Sequence, residues 1–383
     1  MSDRGRPEAS GGRARPAALV AIGSAHGVAI NTIRATSWAE ALPTSAAGRA
    51  RPPEASRRSL FLIALLLIVL AGCAKHEQPV QARLTKVTMN VNPSMTYAPI
   101  MIAKDEGFFA EEGIDAEFVS LDSNSAVAAA AAGKLDVLSA GVRSGIFNMM
   151  LKGVPLQIVA DKGHGAPGDC LSEAFIAPVE TAKRIASRNG SLRGERLALT
   201  RGGSLEFLTM RLLEKQQLTI KDVVIVQMPQ GTAASSRDKV DAIRFTSEPN
   251  LSSALAEGWA AVVARPQDVE PGHQTAVVLF GKRLLRDDPE LGRRYMRAYL
   301  RGVQRYNEGK TDRNIATIAR HTKLPPDIIR RSCWVAVNND GRIDPAGVQP
   351  FLDWALANHY LDGKVPLDLW WNPAFIDAAA TKK

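Results

Sequence analysis

The side chains that most often carry out chemistry in proteins are thinly spread in this sequence of 383 residues. No two histidines have the His-Glu-x-x-His spacing of zinc enzymes, and none lies beside a pair of cysteines. The sequence contains neither the Gly-x-Ser-x-Gly turn of a nucleophilic serine nor the Gly-x-x-x-x-Gly-Lys loop that holds phosphates. It therefore gives no support to a metalloenzyme, a serine hydrolase or an NTPase, and we predict no metal site, no catalytic residue and no cofactor.

One glycine pattern has the form of a nucleotide-binding motif. Residues 163–168 fit Gly-x-Gly-x-x-Gly and follow a predicted strand. A dinucleotide fingerprint must open a helix, but Pro167-Gly168-Asp169 intervene and residues 171–177 have an extended pattern. We interpret the segment as a flexible loop beside a cleft, in which His164 or Asp169 is available to contact a ligand.

The net charge of +9 comes mostly from the first part of the chain. Residues 1–72 contain nine arginines and four acidic residues, a net of +5, which leaves +4 for residues 73–383. No basic run with interleaved aromatic residues occurs after residue 73. Nucleic-acid binding is therefore not indicated.

A short apolar stretch has the form of an export signal. Arg57 and Arg58 precede 11 apolar residues, Leu60–Leu70, which are followed by Ala71-Gly72-Cys73. As a helix the run spans roughly 22 Å even when extended to Ala74, less than the roughly 30 Å hydrocarbon core of a membrane. Leu70–Cys73 resembles the lipobox of bacterial lipoproteins, in which the cysteine is lipidated and becomes the mature N-terminus; the alternative is a buried helix that ends in Gly-Cys.

These features predict the organisation before the folded domain. Residues 1–55 are a disordered extension or lie before the true start, residues 56–73 are the lipoprotein signal peptide, and residues 74–84 are a polar tether. The protein is then extracytoplasmic and anchored to a membrane by Cys73. Cys170 and Cys333 either pair or remain independent buried thiols.

Strands and helices alternate along the remaining chain, which is typical of βαβ units and a mostly parallel sheet. Predicted strands are 86–91, 116–121, 135–140, 156–160, 196–200, 223–227, 241–245 and 260–264. Predicted helices are 97–106, 108–112, an Ala-rich helix capped by Ser123-Asn124-Ser125, 145–151, 204–215, 248–257, 289–307, 313–322, 326–331 and 345–360. About 310 residues of this kind usually form two domains or lobes.

Several segments resemble one protein family in its own order along the chain. The longest is Tyr97–Ile114, which resembles that family's first helix, and the likeness extends over residues 87–307. The others are Gly133–Val137, Val159–Gly163, Leu192–Ala198 and Glu248-Pro249. The family is the ABC-transporter solute-binding proteins related to the binders of sulfonates, taurine, nitrate and thiamine precursors (SsuA/THI5-like, or NMT1). This chain departs from the family pattern at Arg201, where small or apolar residues are more usual.

The resemblance implies an α/β class, the two-lobed type II periplasmic binding protein fold, each lobe a mostly parallel sheet flanked by helices. Residues 85–175 then begin lobe 1, residues 176–272 form lobe 2, and residues 273–383 return to lobe 1 and add C-terminal helices. A solute binds between the lobes by hinge closure. The implied partners are a small-molecule ligand and ABC permease subunits, and the protein is a monomer.

The candidate ligand-binding residues are those that follow predicted strands, because the carboxyl ends of parallel strands meet at one crevice. They are Asn92, Tyr97, Asn124, Ser125, Arg143, Ser144, Arg201, Gly203, Ser204 and Glu248.

Several of these residues have a second interpretation. Tyr97 either stacks on a flat ligand or is a core-edge aromatic residue, and Arg201 either pairs with an anion or is solvated. Asn124 and Ser125 either bind the ligand or cap a helix, and Glu248 either binds an amine or complements a helix dipole.

The leading hypothesis is a lipid-anchored binding protein of an ABC importer that captures a small organic anion or a heteroaromatic precursor, without covalent chemistry. Two alternatives remain: an enzyme acting on pyrimidine-type compounds with the same fold, and a lipid-anchored ligand sensor. The lipobox and the lack of clustered His and Cys argue against the enzyme.

Overall fold

The computed structural model describes residues 84–168, 170–227 and 241–380. The predicted N-terminal extension, the signal peptide with Cys73 and nearly all of the tether lie outside these residues, as does Asp169. No helix in the described ranges is long and apolar enough to cross a membrane.

Strands and helices alternate through the described chain. The strands are β1 (Thr85–Asn90), β2 (Ile114–Val119), β3 (Val137–Gly141), β4 (Gln157–His164), β5 (Glu173–Pro178), β6 (Arg196–Leu199), β7 (Val224–Gln227), β8 (Ile243–Ser247), β9 (Ala260–Ala264) and β10 (Gln274–Phe280). The α-helices are α1 (Ala98–Asp105), α2 (Phe108–Glu111), α3 (Ser123–Ala131), α4 (Ser144–Leu151), α5 (Val179–Ser187), α6 (Ser204–Lys215), α7 (Asn250–Ala256), α8 (Pro266–Val269), α9 (Pro289–Asn307), α10 (Asp312–Thr322), α11 (Pro326–Arg331), α12 (Gln349–Ala357), α13 (Leu367–Trp370) and α14 (Ala374–Ala380). Short 3₁₀ turns occur at Met95–Tyr97, Ile220–Asp222 and Pro345–Gly347, and a π-turn at Arg283–Asp287.

Within the described ranges these strands form two sheets, which we call the sheets of lobe 1 and lobe 2. The first has the order β2-β1-β3-β10-β4 and the second the order β7-β6-β8-β5-β9. In each, the fourth strand of the order runs antiparallel to its neighbours, while the first three strands are parallel to one another. The predicted α/β class with two mostly parallel sheets flanked by helices is thus confirmed.

Five elements were missed by the sequence patterns, and one boundary was misplaced. The elements without a predicted counterpart are β10, α5, α8, α13 and α14, and β10 occupies an inner position of the first sheet. The expected change of lobe after residue 175 falls inside β5, which belongs wholly to the second sheet. The place of β10 in the sheet cannot be predicted from local patterns, because its partners, β3 and β4, lie more than a hundred residues earlier.

The C-terminal helices connect the two lobes through apolar contacts with helices of each. Phe351 of α12 packs against Phe147 of α4 with ring centroids 6.2 Å apart and against Phe207 of α6 at 6.0 Å. Trp370 is fully buried against Phe147 at 6.1 Å. Helices of both lobes therefore share one core, to which α12 contributes the central ring.

A disulfide supplies a second connection. Cys170 precedes β5, and Cys333 follows α11; the two are bonded, with their Cα atoms 5.5 Å apart and a sequence separation of 163. The open question of their pairing is thus answered in favour of a bond. Because a link over a long loop restricts the unfolded chain, it stabilises the folded state.

We expect reduction of this bond to lower the free energy of unfolding by about 2–5 kcal/mol, because the unfolded chain regains the entropy of a long loop. Urea denaturation with and without dithiothreitol measures the effect. The double variant Cys170→Ala/Cys333→Ala is the control, and its stability should not respond to the reductant. Equal stability of the oxidised and reduced wild-type protein would contradict the prediction.

Candidate functional site

A cavity of about 800 Å³ lies between the two lobes, and residues from the ends of strands in both sheets line it. Eight of the ten predicted ligand-binding residues are among the lining residues: Asn92, Tyr97, Asn124, Arg143, Arg201, Gly203, Ser204 and Glu248. Ser125 and Ser144 do not line the cavity. The junctions between strands and helices thus converge, as parallel sheets require.

Ser125 is turned away from the cavity by the cap of its helix. The N-cap of α3 is Asp122, not the predicted Ser123–Ser125 segment. Its carboxylate accepts hydrogen bonds from the backbone N of Asn124 at 3.0 Å and of Ser125 at 3.1 Å, and from Ser125 Oγ at 2.5 Å. The Asn124 side chain remains at the cavity, where its Oδ1 accepts from Arg143 at 3.2 Å.

Asn92 and Tyr97 are both engaged in contacts within lobe 1. The Asn92 amide donates to the Leu121 carbonyl at 3.0 Å and accepts from Ser120 Oγ at 2.8 Å. The Tyr97 hydroxyl donates to the Ser139 carbonyl at 3.3 Å, and the Nζ atom of Lys162 lies 3.9 Å from the centre of its ring. One face of Tyr97 is therefore already occupied by a cation, which weakens the prediction that this ring stacks on a flat ligand.

Backbone contacts join the lobes between residues 142–144 and 202–204. Ser144 N donates to the Gly202 carbonyl and Ser204 N to the Val142 carbonyl, each at 3.1 Å, and Arg143 and Gly203 form an antiparallel bridge. The Ser144 hydroxyl also donates to the Gly202 carbonyl, at 3.0 Å. Ser144 thus connects the two lobes and is not exposed to the cavity.

A buried carboxylate holds Arg201. Glu206 is 3% exposed and accepts hydrogen bonds from Gly202 N at 2.7 Å and from the Tyr360 hydroxyl at 3.0 Å. Arg201 lies 3.4 Å from Glu206 Oε1 and 3.5 Å from the Tyr360 hydroxyl, with half of its side chain exposed. Glu206 and Tyr360 therefore fix where the guanidinium enters the cavity.

Glu248 is satisfied by protein donors. Its Oε1 accepts from Ser252 Oγ at 2.6 Å and Cys333 N at 2.9 Å, and its Oε2 accepts from Ser252 N at 3.0 Å. Glu248 lies two residues before α7 and contacts Ser252 in the first turn of that helix, where a negative charge complements the helix dipole. Glu248 also ties lobe 2 to the segment that holds the disulfide.

Sequence patterns missed several lining residues. Lys162, Glu173 and Arg244 are each at most 5% exposed yet line the cavity, and Trp334 and Tyr306 stack beside it with ring centroids 5.0 Å apart. A charged residue within a buried strand could have identified them in the sequence. Charged side chains are rarely fully buried unless they are paired, so such a residue indicates a specific contact. Lys162 and Arg244 both fit that description.

A buried pair lies where β5 meets the start of β10. His273 is 2% exposed; its Nε2 is 2.5 Å from Glu173 Oε1, and its Nδ1 is 2.8 Å from the Glu270 carbonyl oxygen. Both partners are acceptors, which favours a proton on each ring nitrogen. Burial acts against the charged ring, but the hydrogen bond and charge of Glu173 outweigh it, so the pKa of His273 is raised.

The glycine-rich pattern does not form a nucleotide loop. Gly163 and His164 belong to β4, and His164 Nδ1 is 2.8 Å from the buried Asp161 carboxylate. His164 does not line the cavity, and Asp169 lies outside the described residues. Within the described ranges, no group of three or more His, Cys, Asp or Glu residues has the placement needed to hold a metal ion.

Comparison with protein families identifies the chain's relatives. The family described as NMT1/THI5 like matches residues 94–308, more than half of the sequence. The chain belongs to this family. A comparison with curated protein sequences found no match.

Solved structures share the fold of this NMT1/THI5-like chain. The zinc-bound ligand-binding component of an ABC-type import system from Staphylococcus aureus has a TM-score of 0.64 at 15% identity, covering 77% of this chain and 99% of its own. The alkanesulfonate-binding protein SsuA from Xanthomonas axonopodis pv. citri, bound to MOPS, has a TM-score of 0.58 at 17% identity, covering 76% and 98%. The desulfurization enzyme DSZB has a TM-score of 0.55 at 13% identity, covering 78% and 99%. At these identities the likeness establishes the fold of periplasmic binding proteins.

The raised pKa of His273 gives a stability test with a defined sign. A folded-state pKa above the unfolded value of about 6.5 contributes stability that is complete below that pH and is lost as the pH rises through the folded pKa. We expect the wild type to exceed His273→Gln in free energy of unfolding by most at about pH 6 and by less at about pH 9. Urea denaturation of both proteins across this range measures the difference. A difference that grows with pH would contradict the assignment.

Proposed function

We propose that the protein is the extracytoplasmic solute-binding component of an ABC importer, and that its interlobe cavity captures a small organic anion or a heteroaromatic precursor by hinge closure. Membership in the NMT1/THI5-like family and the fold shared with import-system binding proteins support this function. The observation that carries it is the position of the cavity between two sheets, where strand ends from both lobes converge.

The charges at the cavity favour an anion. Its carboxylates are occupied by protein donors: Asp122 caps α3, Glu173 holds His273, and Glu248 holds Ser252 and Cys333. The basic residues Arg143 and Lys162 have neutral oxygen partners, the Asn124 amide and the Thr96 hydroxyl. The electrostatic potential in the cavity is therefore positive. The α6 helix begins at Ser204 in the cavity wall, and the positive end of its dipole adds to this potential.

Delivery to a permease and anchoring at a membrane complete the proposal. An import function requires ABC permease subunits as partners, and the proposed lipid on Cys73 keeps the binding protein beside them. We further propose that the protein acts as a monomer. Metabolic labelling with a fatty-acid analogue, compared between the wild type and Cys73→Ala, tests the anchor.

Binding without turnover is the proposed activity, although DSZB shows that the fold also supports an enzyme. A screen of melting temperature against sulfonates, nitrate, bicarbonate, pyrimidines and flavins tests this proposal. A ligand present at 100 times its Kd should add about 2.7 kcal/mol to the free energy of unfolding. Stabilisation by none of these classes, or chemical conversion of a bound compound, would contradict it.

Arg201→Ala should weaken an anionic ligand by more than tenfold, because the guanidinium held by Glu206 enters the cavity and can pair with an oxyanion. Calorimetric titration of the ligand identified in the screen measures the loss. Arg196→Ala is the matched control, because Arg196 is an exposed arginine of the preceding strand that does not line the cavity. Equal affinities for Arg201→Ala and the wild type would remove Arg201 from the binding site.

A further inference from the structure

Lys162 is a buried cation in the wall of the cavity. It lies in β4, is 3% exposed, and lines the cavity together with Thr96 and Tyr97. Burying an ammonium group is costly unless an opposite charge or several hydrogen-bond acceptors compensate for the lost water.

The neighbouring carboxylate does not provide that compensation by direct contact. The side chain of Asp161 is fully buried, and its oxygens accept from Gly163 N, His164 Nδ1, Gln274 Nε2 and Asn338 N, each at 2.8 Å. Side chains alternate between the two faces of a strand, so Asp161 and its partners lie on one side of β4 and Lys162 on the other.

The contacts of Lys162 itself are weak. Its Nζ is 3.4 Å from Thr96 Oγ1 and 3.9 Å from the centre of the Tyr97 ring, and no carboxylate of the described chain forms an ion pair with it. An ammonium has three donors, and these two contacts leave donor capacity directed at the cavity.

We propose that Lys162, together with Arg143 at the end of β3, binds an oxyanion group of the solute, which makes the ligand a carboxylate, sulfonate or phosphonate and not a neutral heteroaromatic compound. This inference rests on the proposed function and selects one of its two ligand classes. Arg143 contributes a second positive charge on the same lobe, and its described partner is the neutral Asn124 amide. The anion supplies the opposite charge that the buried ammonium lacks.

Binding should then depend on pH in a defined direction. Burial lowers the pKa of Lys162 to about 7, with the charge of Asp161 acting in the opposite direction. In the empty protein the ammonium is lost as pH rises above this value, and only the charged form attracts an anion. The affinity for an anion should therefore fall by up to tenfold per pH unit above about pH 7, and binding at about pH 8 should take up a proton.

The pH dependence caused by Lys162 has to be distinguished from that of other titratable groups near it. Tyr97 lies on the turn before α1, Tyr299 and Tyr306 on α9, Asp161 and His164 on β4, and Glu173, paired with His273, on β5. Elsewhere in the cavity wall are Asp122 and Arg143 on the same lobe, and Arg201, Arg244 and Glu248 on lobe 2. Burial raises the pKa of all three tyrosines, so they stay neutral near pH 7. Lys162→Arg removes the lysine titration while it leaves these groups in place.

The experiment titrates the full chain in detergent with ethanesulfonate, propionate and methylphosphonate, and with the neutral compounds propionamide and 4-aminopyrimidine. Calorimetry gives the affinity, and the change in tryptophan emission on binding, to which Trp334 in the cavity wall contributes, reports occupancy. We expect at least one anion to bind and Lys162→Met to weaken it by tenfold or more at pH 7. For ethanesulfonate and propionate, whose own charge is constant between about pH 6 and 9, Lys162→Arg should retain binding with a flat profile over that range. Lys104→Met is the matched control, because exposed Lys104 also lies over a ring, that of Phe118 at 4.2 Å, but outside the cavity.

Each contrary outcome has a separate meaning. Equal affinity of Lys162→Met, propionamide binding as tightly as propionate, or a wild-type affinity that does not change with pH would overturn the role of Lys162. If the neutral pyrimidine binds and no anion does, this inference is wrong while the proposed function stands. If none of these compounds, and none from the wider screen, binds, both are wrong. Thermal unfolding of each variant, with Lys162→Arg as the conservative replacement, separates lost binding from lost folding.

Discussion

The buried carboxylate of Asp161 is the constraint on which the geometry of lobe 1 depends. Its two carboxylate oxygens accept hydrogen bonds from the backbone of Gly163, the side chain of Gln274 in β10 and the backbone of Asn338. Its backbone carbonyl accepts from the Tyr299 hydroxyl at 2.5 Å. A charge with no solvent contact is tolerated because donors surround it. These bonds join two sheet strands, α9 and a C-terminal loop, so β4 can neither slide nor rotate without losing several of them.

The position of the Asp161 side chain on one face of β4 also determines the position of Lys162 on the other face. With Asp161 held in the protein interior, the alternation of the strand directs Lys162 to the cavity, where Thr96 and Tyr97 meet it from the turn before α1. On lobe 2, Glu206 and Tyr360 position Arg201 in a comparable way. In both lobes, therefore, a buried acidic residue determines where a basic residue faces the cavity.

Much of this arrangement follows from sequence patterns, and the remainder has identifiable physical causes. Strand and helix periodicity predicts the alternation and hence the convergence of Asn92, Arg143 and Arg201, because residues after parallel strands meet at one edge. It does not predict the burial of Lys162, which depends on a turn 66 positions away in sequence. The Cys170–Cys333 pairing and the placement of β10 are equally nonlocal. The cap at Asp122 was missed because three other capping residues follow it directly.

The position of β10 in the first sheet has a consequence for how the chain assembles. β3 and β4 do not pair with each other; β10 inserts between them, and it follows the whole of lobe 2 in sequence. A polypeptide that emerges from its N-terminus exposes the facing edges of both strands until residue 280 arrives, and exposed edges invite pairing with other chains. The strands of lobe 2 are consecutive in sequence, so its sheet does not depend on a strand that is synthesised much later. The strands of lobe 2 are therefore all synthesised before the sheet of lobe 1 can be completed.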